Sequence, residues 1–432
     1  MFGKKQKKMS DRTYNKHPRY ISLFAGAGGL AEGFYRAGFR PVAHVEQDSS
    51  ACYTLKTRVA RHWLFNRNKE DIYIRYLKGE ISREELYRHI PQQKISSVIN
   101  AEICENELSS IFTKVNELAN YKNVDLIIGG PPCQAYSLIG RSRDSNKMKS
   151  DKRNYLFQYY SMFLKKYQPK FFVFENVAGL MSAKDENGKK YFDSMKESFS
   201  ESGYEIVKEC LSAEEYGVLQ NRKRIIIIGK RTKESFDFPE LSRWDPDVKV
   251  NEIFKDLPSI QAGSGFVTPC KTISYQGEYL YKAKIKNDDI PLTWYISRPH
   301  TEQDLEIYRI AVEYWNNGQR RLSYNDLPKS LKTHTNCESF TDRFKVVEGN
   351  LKYAHTVVAH ISKDGHYYIH PDINQNRSIT PREAARLQSF PDDYYFESES
   401  GTPSRTAAFR QIGNAVPVLL SESIANGLLS IW

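Results

Sequence analysis

Up to residue 230 the chain alternates short apolar runs with longer amphipathic stretches, a rhythm that predicts repeated strand-helix units and a mostly parallel sheet. The runs predict strands at Tyr20–Phe24, Pro41–Val45, Val124–Ile128, Phe171–Phe174, Tyr204–Cys210 and Arg224–Ile228. Between Leu55 and Ser97 lies a charged, aromatic-rich interval, with His62-Trp63-Leu64-Phe65 and Asp71-Ile72-Tyr73-Ile74 as examples. It fits helical hairpins better than strands and reads as an insertion into the sheet domain. From residue 231 to about Gln375 no clear period survives, and polar, aromatic and basic residues with Pro-Gly punctuation predict a separate small domain. Helical signals return from Ile379. Thr380-Pro381-Arg382-Glu383 combines an N-cap, a proline at the first helical position and an acid in the first turn, and Val416–Leu429 has helical apolar spacing.

Composition narrows the classes. The 432 residues are 40% hydrophobic, enough for a large core, and no apolar stretch reads as long enough to span a bilayer. The start, Met1 to Lys8, is basic without an apolar run behind it, so no secretory signal is expected and the chain is assigned to the cytoplasm. Six scattered cysteines, with no Cys-x-x-Cys pair and no histidine cluster, predict neither a disulfide framework nor a bound metal. Lys plus Arg number 63 against 52 Asp plus Glu, a formal charge of +11 that favours a polyanionic partner.

Five motifs stand out as candidates for chemistry. Pro131-Pro132-Cys133-Gln134 follows an apolar run and two glycines, so a lone thiol is delivered in one orientation at the abrupt end of a buried strand. A small buried hydrophobe in a strand-exit turn is the plainer alternative for Cys133. Phe24-Ala25-Gly26-Ala27-Gly28-Gly29-Leu30, placed between strand and helix, permits a tight turn and close approach of a nucleoside, although the spacing is not that of dinucleotide sites. Glu46 ends the next strand, where an acid can meet ribose hydroxyls. Glu175 leaves the end of another strand and should share the ligand crevice with Cys133, a helix N-cap acid being the alternative. In Gln220-Asn221-Arg222-Lys223-Arg224, alternation along an extended segment predicts that Arg222 and Arg224 face the same side. Gln411-Ile412-Gly413-Asn414-Ala415-Val416-Pro417 reads as a small-residue turn opening the last helix.

These motifs, in this order, resemble the DNA (cytosine-5)-methyltransferase family, bacterial restriction-modification type. The residues that carry the likeness are Phe24 to Leu30, Gly129 to Ser137, Asp151 to Phe157, Glu175 to Val177, Tyr216-Gly217-Val218 with Gln220 to Arg224, Thr380 to Pro391, and Gln411 to Pro417. The resemblance implies an α/β fold, a Rossmann-like S-adenosylmethionine-dependent methyltransferase domain with a mostly parallel sheet, plus a smaller irregular target recognition domain. The corresponding division is a basic arm over 1–18, a catalytic and cofactor-binding domain over 19–230 with the insertion at about 55–97, a recognition domain over 231–375, and a C-terminal segment over 376–432 that returns to the catalytic domain.

By the same resemblance, Cys133 adds to carbon 6 of a cytosine flipped out of double-stranded DNA, Glu175 serves ring nitrogen 3, and Arg224 with Arg222 contacts the base. S-adenosyl-L-methionine is then held by Phe24, Gly26, Gly28, Leu30, Glu46, Gln47, Glu102, Ile103, Pro131, Leu156, Asn414 and Ala415. DNA contacts fall to Pro132, Gln134, Ser137, Arg320, Arg321, Arg343 and Lys345. Gln47 departs from the bulky residue usual against adenine, and Leu219 from the usual proline before Gln220; neither touches the chemistry. The compact layout resembles monomeric bacterial or phage enzymes that protect DNA from a cognate restriction endonuclease. A relative acting on transfer RNA, a DNA-binding protein that has lost catalysis, and a thiol hydrolase or dehydrogenase are the competing classes. The insertion is expected either to add DNA or partner contacts or to be a solvated helical hairpin.

Overall fold

The computed structural model describes residues 17–120, 122–132, 155–269, 273–332 and 341–432. Seven strands form one sheet in the order β3-β2-β1-β4-β5-β7-β6: β1 Arg19–Leu23, β2 Arg40–Glu46, β3 Val98–Asn100, β4 Leu126–Gly129, β5 Phe171–Asn176, β6 Glu205–Ser212 and β7 Lys223–Lys230. The first five are parallel, and β7 runs antiparallel between β5 and β6. All six predicted strands are present. The sequence reading missed β3, which is only three residues long.

The central strands are mostly apolar because both faces are covered, as expected of parallel strands between helices. Alternate side chains feed two different cores. Tyr20, Leu126, Ile128, Phe171, Val173, Ile226 and Ile228 face one side, with α1 (Gly29–Arg36). Ile21, Leu23, Ile127, Phe172, Phe174, Ile225 and Ile227 face the other. Among the described residues, that second face is covered by three helices. They are α6 (Glu105–Ala119), α7 (Leu156–Tyr167) and α8 (Tyr191–Glu201).

The 55–97 interval is helical, as predicted. It belongs to α2 (Ser49–Phe65), α3 (Glu70–Leu77), α4 (Arg83–Arg88) and α5 (Gln92–Ile95), which together make the crossover from β2 to β3. It is not a solvated hairpin. Ala60, Leu64, Tyr73, Leu77 and Leu86 form a core of their own, and the outer face is tied to residues 393–398. There Arg58 and Arg61 both pair with Asp393, at 2.7 and 2.6 Å. Thr57 and Tyr76 hydrogen-bond Glu397 at 2.6 and 2.5 Å.

The stretch from 231 to 375 is only partly separate from the sheet. Ile253, Leu280 of α9 (Tyr279–Lys282), Trp294, Val347, Ile361 and Tyr368 are buried in the same core as β1 and β4. A distinct small core forms around α10 (Glu302–Gly318), with Tyr308, Val312 and Trp315 against Leu322, Phe344 and Ile369. Among the described residues, the rest of the stretch is made of single turns, isolated bridges and one short two-stranded ladder (Gly265–Phe266 with Tyr295–Ile296), so the sequence shows no long period.

After Ile379 the chain returns to the sheet as α11 (Pro381–Leu387), α12 (Arg405–Asn414) and α13 (Val418–Ser430). The predicted start at Thr380 is a full capping box with Glu383. Arg386, fully buried, joins Asp256 at 2.5 Å and Asp392 at 2.7 Å, so one arginine fastens the 250s to the C-terminal segment. Helix α13 lies directly on α1, where a Cβ at Gly33 would come within 2.4 Å of the Glu422 backbone nitrogen. By length and composition Arg405–Ser430 is apolar enough to cross a membrane, where the sequence reading expected no such stretch. Its Leu420, Ile424, Ala425 and Leu428 are instead buried in the core beside α1.

Candidate active site

Five parallel strands release their chains at one edge of the sheet, and β7, running the other way, begins there. This topology brings residues from six strands around a single cavity of about 440 Å³. Phe24 to Ala27 come from the loop after β1, Glu46 to Asp48 from that after β2, and Ala101 to Ile103 from that after β3. Gly129 to Pro132 follow β4, Glu175 to Val177 end β5, and Arg224 stands at the head of β7. Leu156 at the start of α7 and Gln411, Asn414, Ala415 and Val416 from the C-terminal segment complete the wall.

Of the residues assigned to the cofactor, Phe24, Gly26, Leu30, Glu46, Gln47, Glu102, Ile103, Pro131, Leu156, Asn414 and Ala415 all line this cavity. Gly28 does not. It is the left-handed N-cap of α1, with φ 87°, and a Cβ there would meet Leu55 and the Tyr394 hydroxyl at 2.8 Å. Gly26 also has positive φ, 53°, but a Cβ on it would meet nothing, so the loop turns its bare backbone to open space. Glu46 does more than end a strand. Its Oε2 accepts from the Gly26 amide at 2.7 Å, and its Oε1 accepts from the Gln47 and Asp48 amides at 2.9 and 2.8 Å. Burial raises its pKa, against the lowering effect of those amides. Apolar walls from Phe24, Leu30, Ile103 and Leu156, the carboxylates of Glu46 and Glu102, and exposed backbone at Gly26 suit a nucleoside carrying a charged amino acid.

Glu175, the acid expected from the sequence, stands where the topology puts the end of β5. Glu175 Oε1 is 2.7 Å from Arg224 Nε, and each side chain is 14% exposed. The pairing needs the space left by Gly130, since a Cβ there would lie 2.4 Å from Glu175 Oε2. Cys133, Gln134 and Ser137 lie outside the described residues; Pro132, which precedes Cys133 in the chain, lines the cavity.

Arg222 corrects the sequence reading. It is 1% exposed and does not line the cavity; its guanidinium donates to the backbone oxygens of Val357, Gly413 and Ala415 at 2.6, 3.2 and 2.8 Å. The expected alternation fails because β7 begins only at Lys223, so Arg222 does not follow the strand's phase. It acts as a bracket joining three segments. Gln220 is likewise fully buried, donating to Leu387 O and Gln388 Oε1 and accepting from the Val357 amide.

None of the four basic residues assigned to DNA lines the cavity. Arg320 approaches Asp326 at 3.4 Å, Arg321 pairs with Glu348 at 2.7 Å, Lys345 pairs with Asp342 at 2.6 Å, and the Arg343 guanidinium lies 5.9 Å from the Phe344 ring centre. Arg320 and Arg321 stay more than half exposed. Sequence reasoning missed Asp48, Asn176 and Arg410, which all line the cavity. Asn176 adjoins Glu175 and carried a signal; Asp48 and Arg410 are 362 positions apart and carried none as a pair.

A family model described as C-5 cytosine-specific DNA methylase matches residues 19–97 and 92–430. The chain belongs to that family. Its activity is transfer of a methyl group to carbon 5 of cytosine in DNA, which requires a methyl donor. Among relatives, the Type II methyltransferase M.Bpa9945I of Bacillus paralicheniformis is 40% identical, covering 95% of this chain and 98% of that protein. The Type II methyltransferase M1.HphI of Haemophilus parahaemolyticus is 30% identical over 95% of this chain and 87% of its own. A prophage-encoded E. coli protein described as a DNA modification methyltransferase has a crystal structure with TM-score 0.61 at 23% identity, covering 96% of this chain and 99% of that one. At that identity the likeness establishes the fold. Family membership leaves no place for the thiol hydrolase or dehydrogenase readings.

Proposed function

We propose that this methylase modifies one cytosine within a short duplex sequence, using Cys133 as nucleophile, Glu175 and Arg224 as the groups that hold the ring, and S-adenosyl-L-methionine as donor. The observation that carries the reading is the 2.7 Å Glu175–Arg224 pair in the cavity wall, beside the Gly130-Pro131-Pro132 turn that leads to Cys133. An unactivated cytosine carbon 5 is a poor nucleophile. Addition of the Cys133 thiolate to carbon 6 forms a carbon–sulfur bond and pushes the ring electrons to carbon 5, making an enamine. Glu175 supplies a proton or hydrogen bond at ring nitrogen 3, and Arg224 offsets charge on the carbonyl oxygen. When bound, S-adenosyl-L-methionine supplies a methyl group made electrophilic by its sulfonium. Removal of the carbon-5 proton then returns the electrons to the ring and expels the Cys133 thiolate.

Phe24, Leu30, Ile103, Leu156, Asn414 and Ala415 would hold the donor, with Glu46 and Glu102 receiving its polar groups. The target base reaches these residues only when flipped from the helix, at a cost of a few kcal/mol that contacts to phosphates and to the vacated space offset. Arg320, Arg321, Arg343 and Lys345, on the stretch around α10, are assigned to those contacts. The names of the relatives support a place in a restriction-modification system, in which a cognate endonuclease cuts the unmethylated site in the bacterial cytoplasm without forming a stable complex with a monomeric methylase.

The test is base-resolution mapping of 5-methylcytosine in DNA from a methylation-deficient host expressing the chain, beside a Cys133→Ala control. Methylation at one short sequence, absent in the control, is expected. Methylation that persists in the control removes Cys133 from its role.

A further inference from the structure

Asp48 and Arg410 face each other across the rim of the cavity, Oδ2 to Nη2 at 2.7 Å, and both line it. We propose that this ion pair is a latch over the cofactor, and that its opening sets how fast the spent cofactor leaves. The proposal rests on reading the cavity as the S-adenosyl-L-methionine site.

Asp48 is placed for this by two bonds. Its Oδ1 accepts from the Ala51 amide at 2.9 Å as the N-cap of α2, and its own amide donates to Glu46 Oε1 at 2.8 Å. Its second oxygen is therefore free to take Arg410 while the first stays with the helix. Glu46, which also grips Gly26, thus joins the floor of the cavity to the latch. On the other side the backbone of α12 is fixed. The adjacent Gln411 accepts from Thr54 at 2.6 Å and donates to the Glu397 carbonyl at 2.9 Å, both buried. With Gln411 held in this way, the half-exposed Arg410 side chain beside it is the part left to swing.

The strength of the pair suits a moving part. Arg410 is 51% exposed and Asp48 33%, so their attraction is screened and adds little to the fold. Buried pairs such as Arg58–Asp393, 7% and 5% exposed, carry that load instead. Among the described residues lining the cavity, Arg224 is the one other arginine, and it is engaged with Glu175. Arg410 is therefore the cation that answers Asp48, and the less buried of the two.

The test is the dissociation rate of S-adenosylhomocysteine from the DNA-free protein, by stopped-flow displacement. Asp48→Asn keeps an N-cap residue but removes the charge. Arg410→Gln removes the other charge and touches no cap, so it gives the answer if Asp48→Asn folds poorly. Each is expected to speed release about two- to five-fold, the double variant no more than either single, and Arg410→Lys to restore the slow rate. Raising the salt should speed release from wild type towards the variants' rate and leave the variants unchanged. Equal rates for wild type and both single variants, or additive effects in the double, would overturn the latch. Wild type that binds no S-adenosylhomocysteine would overturn both the latch and the reading of the cavity beneath it.

Discussion

At Gly130 the size of one methyl group decides where the Glu175 side chain can stand. A Cβ there would lie 2.4 Å from Glu175 Oε2 and 2.7 Å from the Glu175 carbonyl oxygen, so the acid must leave Arg224 to make room. Gly130→Ala is therefore expected to lower the single-turnover methylation rate by about 100-fold or more, the range set for losing a positioned acid. Binding of S-adenosylhomocysteine, measured by titration calorimetry, should stay within a few-fold of wild type. A variant that methylates at the normal rate would show that Glu175 works without its pair. At this scale the sequence was informative wherever a residue left the end of an apolar run, as Glu46 and Glu175 do. It misled at Arg222, whose side is set by carbonyls from Val357, Gly413 and Ala415 and not by strand alternation.

The crossover helices α2 to α5 depend on charges that their own sequence does not explain. Asp393 answers two arginines of α2, Arg58 and Arg61, which hold its carboxyl down to about 2 although burial works to raise it. Asp393→Ala leaves Arg58, 7% exposed, with Glu32 as its remaining acidic partner at 2.6 Å, and should cost about 3–5 kcal/mol in urea unfolding. Glu397 behaves in the opposite sense. Burial pushes its carboxyl up from 4.5 to about 7, with hydrogen bonds from Thr57 and Tyr76 and the charge of Arg83 working against it. Between those values the folded state binds more protons than the unfolded one, so this group's contribution is complete below pH 4.5 and is lost as pH climbs through 7. The stability of wild type relative to Glu397→Gln is accordingly expected to fall when urea midpoints are compared at about pH 5 and about pH 8. A difference that stays level across that range would remove Glu397 from the account. The helical character of this stretch was legible in its apolar spacing. Its docking was not, because the partners lie more than 300 positions away in sequence.

Across the whole molecule the charge of +11 belongs with a polyanionic substrate. Affinity for duplex DNA, followed by fluorescence anisotropy, should drop by about ten-fold or more between 50 and 200 mM salt as counterions return to the phosphates. Affinity that ignores salt would take Arg320, Arg321, Arg343 and Lys345 out of the interface. The α/β architecture and most of the cavity could be read in advance because buried strands and the turns that end them leave strong local marks. The division at 231–375 was harder to read, since Ile253, Trp294 and Tyr368 share a core with β1 that no local pattern announces. The same long-range closure governs when the enzyme comes alive. Phe24 shares its cavity with Asn414 and Ala415, so a polypeptide still emerging from the ribosome carries that cavity open on one side. Chains stalled before residue 414 are expected to incorporate no methyl label, and modification of DNA must lag translation until Asn414 and Ala415 have been made.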